Sequence, residues 1–227
     1  MIRRDYILRM LAEFFEVLSR LRSLKQGQLW NEAAATLDAE FLRLTRTSAE
    51  AVANLSETEL LARLIQGEPT QVVRDKTLIL TALLKEAGDV AAARERPTES
   101  RACYLKGLHL LLETLAAGDT GDFPDFVPRV EVFVAALAGA PLPLESQARL
   151  MQHYERLGEF GKAEDMLFSM VEDSPENNDL LEFGIAFYER LRGRSEDALA
   201  AGNLPRAELE SSLAQLLARK TAPLPRS

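Results

Sequence analysis

The chain has 227 residues, 47% hydrophobic and 27% charged, the balance of a folded protein with a substantial core and not of a disordered segment. Twenty-seven Lys and Arg against 35 Asp and Glu give a formal charge of −8 and a pI near 5.0, which sets the surface against nucleic-acid backbones and anionic lipids. A single cysteine, Cys103, excludes an intramolecular disulfide and a Cys-based zinc site, and fits a reducing cytoplasm.

Ala, Leu, Glu and Arg are abundant while β-branched and aromatic residues are sparse, which favours helix over strand. Tyr6, Ile7, Met10, Leu11, Phe14, Phe15, Leu18, Leu21 and Leu24 recur at helical spacing and predict a first helix, ended by Gln26-Gly27. Its apolar stretch is interrupted by Arg9 and Glu13, and it carries Asp5 and Glu16, so it reads as neither a targeting peptide nor a membrane span. A second helix starts near Trp30, with Ala33, Ala34, Leu37, Phe41 and Leu44 inward. Ser56-Glu57-Thr58-Glu59 is a capping box, hydroxyl and carboxylate each satisfying the other's backbone donor, and predicts a short helix to about Ile65, stopped near Gly67 and Pro69.

A long helix runs from Thr70 to the Pro97 break, and SRACYLKGLHLLLETLAA is its return partner. GDTGDFPD is a loop by composition, and FVPRVEVFVAALAG reads as helical with Val130, Phe133, Val134 and Leu137 on one face. After Pro141 and Pro143 come helices at about 144–157, 160–173 and 177–193. GNLP then leads into a last helix to about Arg219, with Pro205 at its first turn. No segment alternates at period two, so the expected fold is all-α.

Two of these segments superpose. Leu150, Met151 and Tyr154 precede a turn at Gly158, and Ala163, Leu167, Met170 and then Pro175 follow. Leu84, Ala87, Gly88 and Ala91 precede a turn near Glu95-Arg96, and Ser100, Tyr104 and Gly107 follow at the same spacing. The pattern resembles the tetratricopeptide repeat, about 34 residues forming two antiparallel helices. In that likeness Gly88, Gly107 and Ala163 let paired helices approach, while Tyr104, Tyr154 and Leu167 fill the gap to the next hairpin. The earlier segment departs from it in lacking the turn glycine and in carrying Pro97 where its second helix begins.

The resemblance implies tetratricopeptide-like antiparallel hairpins, an α-α superhelix, in one domain over 1–219. Within it lie N-terminal helices at 1–69, a first hairpin at 70–117, an inserted helix in 118–143, and a second hairpin with C-terminal helices at 144–219. Residues 220–227 form a disordered tail. The order RRDYILRMLAEF, HYERLGEFGKAEDMLF, GIAFYERL, GNLPRAEL also resembles a family of bacterial proteins of unknown function, a likeness that carries fold but no activity.

Chemistry-bearing residues are few. Gly161-Lys162 lacks the upstream glycine spacing and the following Ser or Thr of a phosphate loop. His109 and His153 are expected as half-exposed helical histidines, since no third ligand completes a zinc set. Cys103, mid-helix beside Arg101, reads as a packed or half-buried thiol. Asp119, Asp122 and Asp125 lack the alternate-position oxygens and terminal Glu of a calcium loop, and Asp122 suits a helix cap. No catalytic residue, metal or cofactor is therefore expected.

By the same resemblance, a partner lies on the face built from the first helix of each hairpin. The candidate lining is Lys85, Glu86 and Asp89 in one and Arg149, Gln152, Glu155 and Arg156 in the other, extended by Glu182 and Glu189. Arg149, Gln152 and Arg156 share one helix face opposite Leu150, Tyr154 and Leu157, and suit an acidic or backbone-rich peptide. Asp89 and Ala148 stand where the family's carboxylate clamp needs Asn and Lys, which argues against a chaperone-tail receptor. The expected function is non-enzymatic: a cytoplasmic interaction or scaffold protein that binds a protein or peptide in a helical groove, with no nucleic-acid or membrane partner. The alternative is a structural homodimer that uses its helical surfaces, the first helix among them, for self-association.

Overall fold

Residues 2–65, 69–117 and 123–221 are described, in a computed structural model, and helix is the only regular secondary structure among them. No helix there is long and apolar enough to cross a membrane. Backbone contacts group the chain into two compact units, Met1–Pro141 and Leu142–Ser227. The boundary falls at Pro141-Leu142-Pro143; the helix before it has already ended at Ala136, and Gly139 turns the chain with a φ of 100°.

The first unit contains α1 (Ile2–Gln26), α2 (Trp30–Thr45), α3 (Ala49–Asn54), α4 (Glu57–Ile65), α5 (Thr70–Ala93), α6 (Pro97–Ala116) and α7 (Val130–Ala136). The α5–α6 hairpin is its centre: α2 packs on α5, and α3 and α7 on α6. Phe14, Leu21, Leu37, Phe41, Val52, Leu60, Ile79 and Leu83 are buried in one cluster. The capping box forms: the Glu59 N–H donates to Ser56 Oγ at 3.2 Å and the Ser56 N–H to Glu59 Oε2 at 3.0 Å. Gly67, Asp119, Asp122 and the tail from residue 222 lie outside the described residues, while Lys220 and Thr221 are helical rather than tail.

Gly88 and Gly107 do sit where helices touch. A Cβ on Gly88 would come within 2.5 Å of the Tyr104 ring, and one on Gly107 within 2.5 Å of Phe133. Tyr104 therefore fills space inside its own hairpin, over Gly88, and not a gap to the next one. The helix read into FVPRVEVFVAALAG begins only at Val130, because Pro128 supplies no donor and biases the residue before it to extended backbone. The prediction also missed α3, whose six residues are too short for a period, although Ser48 caps it by accepting from the Ala51 N–H.

The second unit contains α8 (Leu144–Leu157), α9 (Phe160–Asp173), α10 (Asn178–Arg192), α11 (Glu196–Ala201) and α12 (Arg206–Thr221). α8 and α9 form a hairpin, and α10 packs on α9 and α12. Ala163, Met170, Phe187, Tyr188 and Leu191 are fully buried. The glycine of the rejected phosphate motif, Gly161, has a packing role: its N–H donates to the Gly202 carbonyl at 2.8 Å, and a Cβ would stand 2.7 Å from the Asn203 carbonyl. Two helix-to-helix turns meet there without side chains between them.

One turn geometry recurs four times. At Gln28, Glu95, Gly158 and Asn203 the backbone enters the left-handed region, with φ between 55° and 76°. The next residue, Leu29, Arg96, Glu159 or Leu204, donates its N–H to a carbonyl five residues back at 2.9–3.0 Å. This six-to-one bond is the Schellman closure, which caps a helix while reversing the chain. Leu29, Arg96 and Glu159 also share ψ values of 64–72° as the next helix starts. Glu95 thus occupies the conformation that glycine supplies at 158, which accounts for the missing turn glycine of the first hairpin.

Candidate functional site

In the first unit, Lys85, Glu86 and Asp89 gather on α5 around a cation from another helix. Lys25, in the last turn of α1, reaches Glu86 at 2.7 Å and Asp89 at 2.5 Å. Lys85 reaches the same two carboxylates at 3.0 and 2.9 Å, and the Tyr104 hydroxyl donates to Asp89 Oδ1 at 2.8 Å. Burial alone would raise the Asp89 carboxyl, but hydrogen bonds from Lys25, Lys85 and Tyr104 outweigh it and hold the group below its ordinary range. Burial would likewise lower Lys85, and Asp89 and Glu86 together raise it instead. The tyrosine is pushed up, by burial first and then by its hydrogen bond to Asp89. The acids of this face are therefore neutralised in place.

Beside the cluster opens a cleft of about 750 Å³. Leu18, Arg22 and Lys25 of α1, Trp30 at the start of α2, and Ala82, Lys85 and Glu86 of α5 form part of its wall. Phe126, Val127, Pro128 and Val132 add to its lining. Phe126 is fixed by edge-on contacts with Phe14, centroids 5.0 Å apart, and Phe15, 5.7 Å apart. Arg22 is exposed, and makes no ion pair among the described residues. Trp30 and Phe126 were invisible to the sequence reading as wall residues, because their meeting depends on segments almost a hundred positions apart.

In the second unit the remaining candidates do not form one cluster. Arg149 pairs with Glu145 at 2.7 Å, Arg156 donates to the Gln152 carbonyl at 3.1 Å, and Glu155 accepts a two-pronged contact from Arg190 at 2.8–2.9 Å. Glu189 meets Arg192 at 3.4 Å, and Glu182 meets Lys220 at 2.9 Å. Leu150 and Tyr154 face the core as expected. Leu157 does not: it is 58% exposed beside the Gly158 turn, where the helix stops.

His153 is buried rather than half-exposed, with its ring against Tyr154, whereas His109 is half-exposed as predicted. Cys103 is 1% exposed, a packed thiol as expected, and burial, with Glu99 and Asp38 nearby, pushes it up to about 12. Among the described residues no three His, Cys, Asp or Glu side chains are grouped to hold a metal ion.

A buried carboxyl escaped the sequence reading. Glu164, 7% exposed, accepts from the Tyr188 hydroxyl at 2.6 Å, and Tyr188 itself is fully buried. Burial raises the Glu164 carboxyl, and hydrogen bonds from Tyr188 and Ser212 only partly offset it. The signal was available: Glu164 interrupts the stripe Phe160, Leu167, Val171 at the position of an inward residue.

A family model covers residues 1–221, that of a family of unknown function (DUF6483). No curated protein and no solved structure matches the chain.

Proposed function

The chain belongs to the DUF6483 family, whose function is unknown, and from its own geometry we propose a non-enzymatic interaction protein of the cytoplasm, built on tetratricopeptide-like hairpins. Its ligand is a peptide segment that inserts an apolar side chain into the cleft of the first unit and presents a carboxylate to Arg22. The supporting observation is the cleft itself. Its volume lies in the range of ligand pockets, its walls are the rigid rings of Trp30 and Phe126, and its inner acids are matched by Lys25 and Lys85. A desolvated apolar contact supplies affinity and the rim arginine supplies selection.

The only tryptophan in the chain lines this cleft, so binding is read by its own fluorescence. Peptides selected from a displayed random library on the full chain are expected to shift Trp30 emission saturably. Val132→Glu places a charge on an exposed wall position and should weaken them about tenfold or more. Peptides that bind without moving Trp30 emission, or with equal affinity for the variant, would defeat the assignment.

The face of Arg149, Gln152 and Arg156 is a second surface for the same kind of partner. Its ion pair, Arg149 with Glu145, is partly solvent-exposed, so exchanging Glu145 for a ligand carboxylate costs little.

A further inference from the structure

Helix α1 carries an apolar and small-residue seam that the first unit leaves uncovered. Met10, Phe14 and Leu21 point into the core, but Leu8 is 56% and Phe15 51% exposed, with Ala12 and Ser19 exposed beside them. The spacing 8, 12, 15, 19 follows one side of a helix, and large residues alternate with small ones along it. Phe15 is held in place by its contacts with Phe14 and Phe126. Flanking the seam, Arg9 and Glu16 are both exposed, and neither has an ion-pair partner among the described residues. They stand seven residues apart, about 10 Å along the axis, too far to pair with one another.

We propose that this seam binds a second copy of the chain, as a two-fold dimer in which two α1 helices cross antiparallel. The numbering is self-complementary about a point between residues 13 and 14. Leu8 of one copy lies over Ser19 of the second, and Phe15 over Ala12 of the second, so each large side chain meets a small one that admits it. The same axis brings Arg9 of each copy to Glu16 of the other with an offset of two residues, about 3 Å, within reach of long side chains. A parallel pairing would set Phe15 against Phe15 and carry Arg9 and Glu16 of the two copies to opposite flanks, where they cannot meet. Isologous contacts of this kind are the commonest route to a closed oligomer. A single helix pair lies at the small end of stable interfaces, so the dissociation constant should be on the order of micromolar.

Sedimentation velocity on the full chain across the micromolar range tests this. The wild type should pass from monomer to dimer and no further. Leu8→Glu, at a position not packed in the core, should raise the dissociation constant about tenfold or more with an unchanged circular dichroism spectrum. Arg9→Glu and Glu16→Arg should each weaken the dimer, and the double swap should restore it, because each reversed charge again meets its opposite. A wild type that stays monomeric to several hundred micromolar overturns the proposal, as does a dimer indifferent to Leu8→Glu. A double swap no better than either single variant overturns the antiparallel pairing. A monomer that co-sediments with phosphatidylglycerol vesicles through Leu8 and Phe15 would assign the seam to a membrane surface instead.

Discussion

Asp89 and Glu164 are two carboxylates with opposite pH signatures. Asp89 is held below its unfolded value, so its contribution to stability is present above that value and is lost as pH falls through the folded one. Glu164 is held above its unfolded value, so its contribution is present at acid pH and is lost as pH rises through the folded one. Glu164→Gln keeps an acceptor for the Tyr188 hydroxyl while removing the charge. It should therefore be at least as stable as wild type in urea at pH 8 and lose that advantage near pH 4; a variant much weaker at pH 8 would show that the charge itself is needed. Tyr188→Phe leaves the carboxylate short of a donor and should cost about 1–3 kcal/mol at pH 8, read from the urea midpoint. Residue-level chemistry was only partly legible in sequence. Lys85, Glu86 and Asp89 were named only as the lining that the tetratricopeptide likeness implies, and Lys25 was not named at all: it lies more than sixty positions from Glu86 and Asp89, and only the packing of α1 near α5 delivers it.

At the scale of the elements, the recurring left-handed turn explains both what the sequence revealed and what it hid. Long helices with wide apolar faces were legible because burial of one face imposes the period. Short α3 and α11 were not, since six residues complete less than two turns. Gly158 announced both its turn and its conformation; near Glu95-Arg96 the Pro97 break marked the turn but not its handedness, because an L residue in the left-handed conformation leaves no mark in composition. Glu95→Gly should stabilise the first hairpin by about 0.5–1 kcal/mol, as relief of the left-handed strain exceeds the added chain entropy. Gly158→Ala should cost about 1 kcal/mol for the converse reason. Urea midpoints that move the opposite way would mean these turns do not limit stability. Ala163, fully buried, gives a third check: Ala163→Leu should cost about 1–3 kcal/mol by overpacking the α8–α9 contact.

For the molecule as a whole, a charge of −8 and a pI near 5.0 govern behaviour in solution more than any single pair. Solubility should pass through a minimum near pH 5, where net repulsion between molecules vanishes. Reversing both Arg149 and Arg156 to Glu removes two positive charges and adds two negative ones, taking the formal charge of −8 further negative. It should leave the melting temperature within about 2 °C, the scale set by exposed substitutions, while extending solubility toward lower pH. A large drop in melting temperature would show that the Arg149–Glu145 contact and its neighbours carry more than surface energetics. The division at Pro141-Leu142-Pro143 was legible as a helix break. That it separates two compact units was not, because the tally of contacts on either side exists only once the helices have paired.

The four turns also have a consequence for chirality. At Gln28, Glu95 and Asn203 the encoded L residue adopts the backbone handedness natural to its mirror image. A D-alanine placed at residue 95 by chemical ligation would prefer that conformation outright, and unlike glycine would not enlarge the unfolded ensemble. It should therefore stabilise the first hairpin more than Glu95→Gly does. The same replacement one residue later, at Arg96 with its φ of −111°, should do harm.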